Sequence, residues 1–164
     1  MNGLIIILGM TATGKTTLAQ KFIDKTDAYT IITSHRHDYA NFNRNRIFTL
    51  DRLPEIMSQP SGGTIVIELD EKIWMEGARK SVNKISSNFR SLGFKRCIFT
   101  MKYLKDFSSG SWQDVDHLFI LRCKQDTLNQ LRIPQTLFTH DLPVHLTRDK
   151  NRDWTIGDFD VKTT

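Results

Sequence analysis

The first clear pattern in the chain is a continuous apolar run at residues 4–8, Leu-Ile-Ile-Ile-Leu, with no alternating polar positions. A strand buried on both faces of a parallel sheet reads this way, whereas a half-exposed strand alternates. From Lys15 the spacing turns helical, with Leu18, Ala19, Phe22 and Ile23 on one face, and it ends near Lys25. Residues 29–33 predict a second strand, 47–50 a short one, and 53–57 a short helix stopped by the Pro60-Ser61-Gly62-Gly63 turn. Residues 64–69, Thr-Ile-Val-Ile-Glu-Leu, form a third buried strand. The long helix after it keeps Trp74, Ala78, Val82, Ile85, Phe89 and Leu92 on one stripe and closes on Gly93 as C-cap. Two more strands are expected at 96–101 and 117–121. A terminal hairpin is expected at 144–147 and 154–156, around the polar turn 149–153.

Strands alternating with helices predict an α/β fold around a mainly parallel sheet. A length of 164 residues with 39% hydrophobic and 25% charged positions suits a single domain over 1–164. No apolar run approaches the roughly 20 residues of a membrane span, and 4–8 is too short for a signal peptide, so a cytoplasmic protein without membrane contact is expected. Cys97 and Cys123 lie in apolar runs and read as buried thiols of a reducing compartment.

The net charge of +5 changes the picture through its distribution. Between Arg79 and Lys105 the chain carries Arg79, Lys80, Lys84, Arg90, Lys95, Arg96, Lys102 and Lys105, and no Asp or Glu. That stretch reads either as a polyanion surface or as a solvated basic helix face.

The chemistry starts at Gly9-Met10-Thr11-Ala12-Thr13-Gly14-Lys15-Thr16, which fits G-x-x-x-x-G-K-[ST] between an expected strand and an expected helix. A chance match in a chain this long is expected on the order of 1% of the time. Such a loop converges backbone N–H groups on phosphate oxygens, and Gly9 and Gly14 allow the close approach. Lys15 is placed to reach the β- and γ-phosphates, Thr16 to complete the shell of Mg²⁺, and Thr17 to meet the α-phosphate. The expected architecture is therefore the three-layer P-loop NTPase sandwich of RecA-like type, with a C-terminal β-hairpin. No Asn/Thr-Lys-x-Asp stretch is present to read guanine, so ATP is the expected nucleotide.

A P-loop alone does not separate kinases, GTPases, transporters and motors. In "TIVIELDE", residues 64–71, Asp70 follows the strand where a metal contact is expected, and Glu71 is placed to polarise an attacking water. That adjacent pair favours hydrolysis. Glu68, two residues before Asp70 and so on the same face of a continued strand, is a rival for either role.

With these parts in order, the chain resembles the FtsK–HerA superfamily, and within it the small viral genome-packaging ATPases. The resemblance spans nearly the whole chain, through the acid-ended strand, the basic helix ending in "FRSLGFKRCIFTMK" and the terminal hairpin. It implies that Arg90 is an arginine finger acting on a neighbour's ATP, with Arg96 as the alternative. The family's polar sensor, usually Gln after Thr at the end of the fourth strand, is replaced here by Thr100-Met101, leaving Thr100 as the sensor position. It further implies a homo-oligomeric ring, pentameric or hexameric, with double-stranded DNA in its channel, ATP and Mg²⁺ as cofactors, and a capsid or portal protein as a further candidate partner. Host cytoplasm or virion is the implied location. The rival readings are a small nucleoside or metabolite kinase and a nucleotide-gated assembly protein with little turnover.

Weaker signals remain. Tyr103 and Phe107, beside Lys102 and Lys105, read as base-stacking groups or as core anchors under a loop. His35-Arg36-His37-Asp38 superficially offers metal ligands but reads better as a polar loop at a subunit contact. Arg44 and Arg46 read as surface, DNA path or trans fingers, and Trp112 and Trp154 have no assigned role.

Overall fold

The computed structural model describes residues 1–69, 76–103, 107, 110–131, 133–138 and 143–159, leaving aside the side chains of 76–79, 135 and 138. Its strands are β1 (Gly3–Leu8), β2 (Tyr29–Ile32), β3 (Ile47–Phe48), β4 (Gly63–Glu68), β5 (Phe94–Met101), β6 (His117–Ile120), β7 (Val144–Arg148) and β8 (Trp154–Gly157). The α-helices are α1 (Lys15–Lys21), α2 (Leu53–Ser58), α3 (Glu76–Asn88) and α4 (Gln125–Asn129). The strands form one sheet in the order β3-β2-β4-β5-β1-β6-β7-β8. Pairing is parallel from β3 to β6 and antiparallel for β6–β7 and β7–β8, so the C-terminal hairpin extends a parallel sheet.

The continuous apolar runs sit where a doubly covered sheet needs them. Leu4, Ile6 and Leu8 of β1, with Ile65 and Ile67 of β4, face a cluster containing Leu53 of α2 and Val82 and Ile85 of α3. Ile5 and Ile7, with Val66 and Ile98, face the opposite cluster with Leu18 and Ala19 of α1 and with Phe22, Tyr39 and Phe42. Alternation along each strand thus feeds two cores, giving three layers. Cys97 and Cys123 are free thiols, and burial pushes the Cys123 thiol up to about 11.

The first helix stops earlier than its spacing predicts, and the long one closes where predicted. In α1 the Phe22 N–H donates to Ala19 O, tightening the last turn, and the Arg96 guanidinium donates to Phe22 O beyond it. The regular part of the long helix ends at Asn88, and one further turn carries it to Gly93 (φ +83°), the expected cap: Leu92 N–H donates to Asn88 O, Gly93 N–H to Arg90 O and Phe94 N–H to Phe89 O. Ser86 and Ser87 hydroxyls donate to Asn83 O, and the Asn88 amide donates to Lys84 O. Val82, Ile85 and Phe89 keep their places in the core with Leu92 packed against it, while Trp74 lies outside the described residues.

Candidate functional site

The loop after β1 is tied by backbone hydrogen bonds to both neighbouring strands. Gly9 N–H donates to Met101 O at 3.1 Å and Met10 N–H to Arg122 O at 2.8 Å, hanging the loop between the ends of β5 and β6. A Cβ on Gly9 would lie 2.6 Å from Thr13 Oγ1 and 3.0 Å from Leu121 Cβ, so only glycine fits. Gly14, at φ +90°, turns the chain into α1 in a region that costs a side chain about 1–2 kcal/mol. Ala12 holds a positive φ of 59° without that exemption, a strain of the kind found at ligand-gripping loops. Thr13 Oγ1 and Lys15 Nζ both donate to Met10 O at 2.7 Å, so the lysine folds over its own loop.

Opposite the loop, β4 ends on Glu68, paired in register with Thr100 of β5. Thr16 Oγ1 donates to Glu68 Oε1 at 2.7 Å. Thr33 Oγ1, just past β2, donates to Oε2 at 2.5 Å, and the Tyr39 hydroxyl donates to Oε1 at 3.0 Å. Tyr39 is fully buried, and burial together with the facing Glu68 carboxylate holds its hydroxyl protonated far above the ordinary tyrosine range. Thr16 and Glu68 border a cavity of about 700 Å³ lined by residues 11–17, Gln20, His35, Asp38, Glu68, Leu69, Thr100 and Lys102, with Thr33 and Tyr39 behind the carboxylate. The paired hydroxyl and carboxylate of Thr16 and Glu68 are hard oxygen donors suited to Mg²⁺.

The structure therefore brings Thr11 to Thr17, Glu68 and Thr100 around one cavity, with Gly9 and Met10 shaping the loop behind it. Asp70 and Glu71 lie outside the described residues. Thr33 and Tyr39 carry no motif, and only their place after a strand neighbouring β4 could have pointed to them. Lys102 was legible only as part of the basic stretch. His35 and Asp38 also face this cavity, and no group of three metal-ligating side chains exists among the described residues.

Arg90 lies at the other end of the sheet. Its guanidinium pairs with Asp116 at 2.7 Å, and Asp116 also accepts the Leu4 N–H at 2.8 Å and Arg152 Nη1 at 2.7 Å. Leu4 lies near the start of β1 and the P-loop leaves its end, on the order of 13 Å away along the strand, so Arg90 does not reach the P-loop of its own chain. Burial opposes ionisation of Asp116, but the Leu4 N–H and the Arg152 and Arg90 guanidiniums outweigh it and hold the carboxyl below its usual range. Arg96 is committed to the backbone carbonyls of Met1 and Phe22. Phe107 is buried against Phe99 and Trp112, which in turn meets Trp154, so this ring is a core anchor. Lys105 lies outside the described residues, and Tyr103 sits under the Lys102 ammonium at 5.0 Å. Among the described residues no helix is long and apolar enough to cross a membrane.

No family model matches the chain, and no curated protein does. Solved structures do. The genome packaging NTPase B204 from Sulfolobus turreted icosahedral virus 2, in complex with sulfate, superposes with a TM-score of 0.68 at 11% identity over 98% of both chains. The same protein in complex with ATP-gammaS gives 0.65 at 13% identity, over 96% of this chain and 97% of that one. B204, the DNA-packaging ATPase from Sulfolobus Turreted Icosahedral Virus, gives 0.62 at 14% identity, over 96% and 98%. At these identities the likeness is one of fold, and the fold expected from the FtsK–HerA resemblance is the one found: this chain has the P-loop NTPase fold of the B204 genome-packaging proteins.

Proposed function

We propose that the chain is a Mg²⁺-dependent ATPase and the subunit of an oligomeric ring that translocates double-stranded nucleic acid, packaging a viral genome. The observation that carries the reading is the Thr16–Glu68 contact at the mouth of the P-loop, which pairs the phosphate grip with a carboxylate. Full-length likeness of fold to B204, described as a DNA-packaging ATPase, supports the same direction.

In this reading the backbone N–H groups of the loop and Lys15, swung off Met10 O, hold the triphosphate. Thr16 and Glu68 hold Mg²⁺ directly or through water, with Asp70 the second acid of that set. Mg²⁺ when bound neutralises charge on the β- and γ-phosphates. Glu71 orients the attacking water, and Thr100, beside Glu68, senses the γ-phosphate. Arg90 of one subunit serves the nucleotide of the next, consistent with its distance from its own P-loop. Lys80, Lys84 and Lys95, all exposed, offer phosphate contacts to nucleic acid.

Phosphate release from ATP, measured at low salt with and without double-stranded DNA and alongside particle size, tests this. Stimulation by DNA together with ring-sized particles is expected. A monomer that transfers phosphate to an added nucleoside, or nucleotide-gated association without turnover, would overturn it.

A further inference from the structure

The P-loop motif explains Thr16, and the strand-end acid explains Glu68, but neither explains the other two hydroxyls on that carboxylate. Thr33 is 1% exposed and bonds Oε2; Tyr39 is fully buried and bonds Oε1. The His35 N–H donates to Thr33 Oγ1 at 2.9 Å, occupying an acceptor lone pair and leaving the hydroxyl proton for Glu68. Tyr39 is fixed on the other side by its ring, which meets Phe42 edge-on at 5.6 Å. Its 3₁₀ turn, Arg36–Tyr39, is pinned to α1 where the Gln20 amide donates to Asp38 O at 2.6 Å. A buried phenol needs an acceptor, and this one is aimed at the acid facing the phosphate grip.

Both oxygens of Glu68 are thus held from the β2 side as well as from the P-loop side. Groups that orient a metal-binding carboxylate from behind affect metal affinity about as strongly as 10- to 100-fold. We propose that Thr33 and Tyr39 are positioning residues for the metal site: their hydroxyls, delivered by the segment after β2, hold the Glu68 carboxylate against Thr16 so that a metal–nucleotide complex meets a preset pair of oxygens. The inference rests on the ATPase reading above and assigns it a structural element that the P-loop motif does not contain.

The test compares the full chain with Tyr39→Phe, Thr33→Val and Thr33→Ser, using ATPγS as nucleotide and Mn²⁺ as a paramagnetic stand-in for Mg²⁺. Bound Mn²⁺ is read by electron paramagnetic resonance, ATPγS affinity by calorimetry with Mn²⁺ and in EDTA, and folding by thermal melting. The expected result is a fall of about 10-fold in the ratio of Mn²⁺-supported to metal-free affinity for Tyr39→Phe and Thr33→Val. Thr33→Ser keeps the hydroxyl and is expected to restore the ratio to within about twofold of the parent. An unchanged ratio in both Tyr39→Phe and Thr33→Val overturns the inference while leaving the ATPase reading standing. Equal loss in Thr33→Ser and Thr33→Val overturns it as well, because shape rather than the hydroxyl would then be responsible. A parent chain that binds no ATPγS under either condition overturns the ATPase reading and this inference with it.

Discussion

The Thr16 hydroxyl donates to Glu68 Oε1 at 2.7 Å, joining the start of α1 to the end of β4 across 52 positions of sequence. This contact sets Glu68 against the P-loop, while Asp70, the sequence's candidate for the metal, lies outside the described residues. If Glu68 belongs to the metal shell, Glu68→Gln lowers ATP hydrolysis by about 100-fold while ATP still binds in EDTA, because the phosphate grip is intact. Parallel Asp70→Asn and Glu71→Gln variants divide the roles. Unchanged turnover in Glu71→Gln would remove it from the water-activating position.

Lys15 donates to the Met10 carbonyl of its own loop. A triphosphate offers that ammonium a better, charged acceptor, and Lys15→Ala is expected to weaken ATP binding by about 10- to 100-fold in calorimetry. Gly14→Ala differs in kind: at φ +90° the added Cβ meets no atom within 4 Å, so the cost is backbone strain alone. It is expected to lower stability by about 1–2 kcal/mol in urea unfolding and to weaken binding by tilting the loop's N–H groups.

The parts that the sequence made legible are those whose physics is local. An unbroken apolar run at 4–8 needs two covered faces, and the P-loop spacing needs glycine at 9 and 14, so both could be read without tertiary information. The close of the long helix on Gly93 was legible too, since a glycine at φ +83° after the last apolar position is a local signal, and Gly93 N–H and Phe94 N–H donate back to Arg90 O and Phe89 O there. The short α4 and the 3₁₀ turns around Arg36–Tyr39 and Arg44–Arg46 carry too few residues for a period to show. Thr33 and Tyr39 belong to the site only because β2 lies beside β4, and a strand order is not written in either strand.

The Arg90–Asp116 pair bears on the shared-site reading. An arginine finger supplied by a neighbour is worth about 10³- to 10⁵-fold in turnover. Mixing catalytically dead Lys15→Ala subunits with Arg90→Ala subunits is therefore expected to restore turnover, since each mixed interface can combine an intact P-loop with an intact arginine. Mixtures no more active than their components would exclude a trans role for Arg90. Asp116→Asn, which keeps the Leu4 N–H bond but loses the charge, is expected to alter the Arg90-dependent step without altering ATP affinity in EDTA.

The same end of the sheet makes stability depend on pH. His145 is 4% exposed, stacked on Phe119 at 4.1 Å, with its Nε2 3.3 Å from His117 Nδ1. Burial, and then the neighbouring His145, push His117 down to about 4; burial likewise lowers His145. Since the unfolded chain takes up these protons near pH 6.5, it binds more protons than the folded protein between about 6.5 and 4, and stability falls as the pH drops through that window. Asp116 acts lower: its folded carboxyl is more acidic than in the unfolded chain, so its pairing with Arg90 and Arg152 stabilises above about pH 4 and is lost below. Urea midpoints at pH 7, 5.5 and 4.5 are expected to decline in that order, and His117→Asn is expected to flatten the decline between pH 7 and 4.5. A midpoint independent of pH over that range would show that the imidazoles charge without penalty in the folded protein.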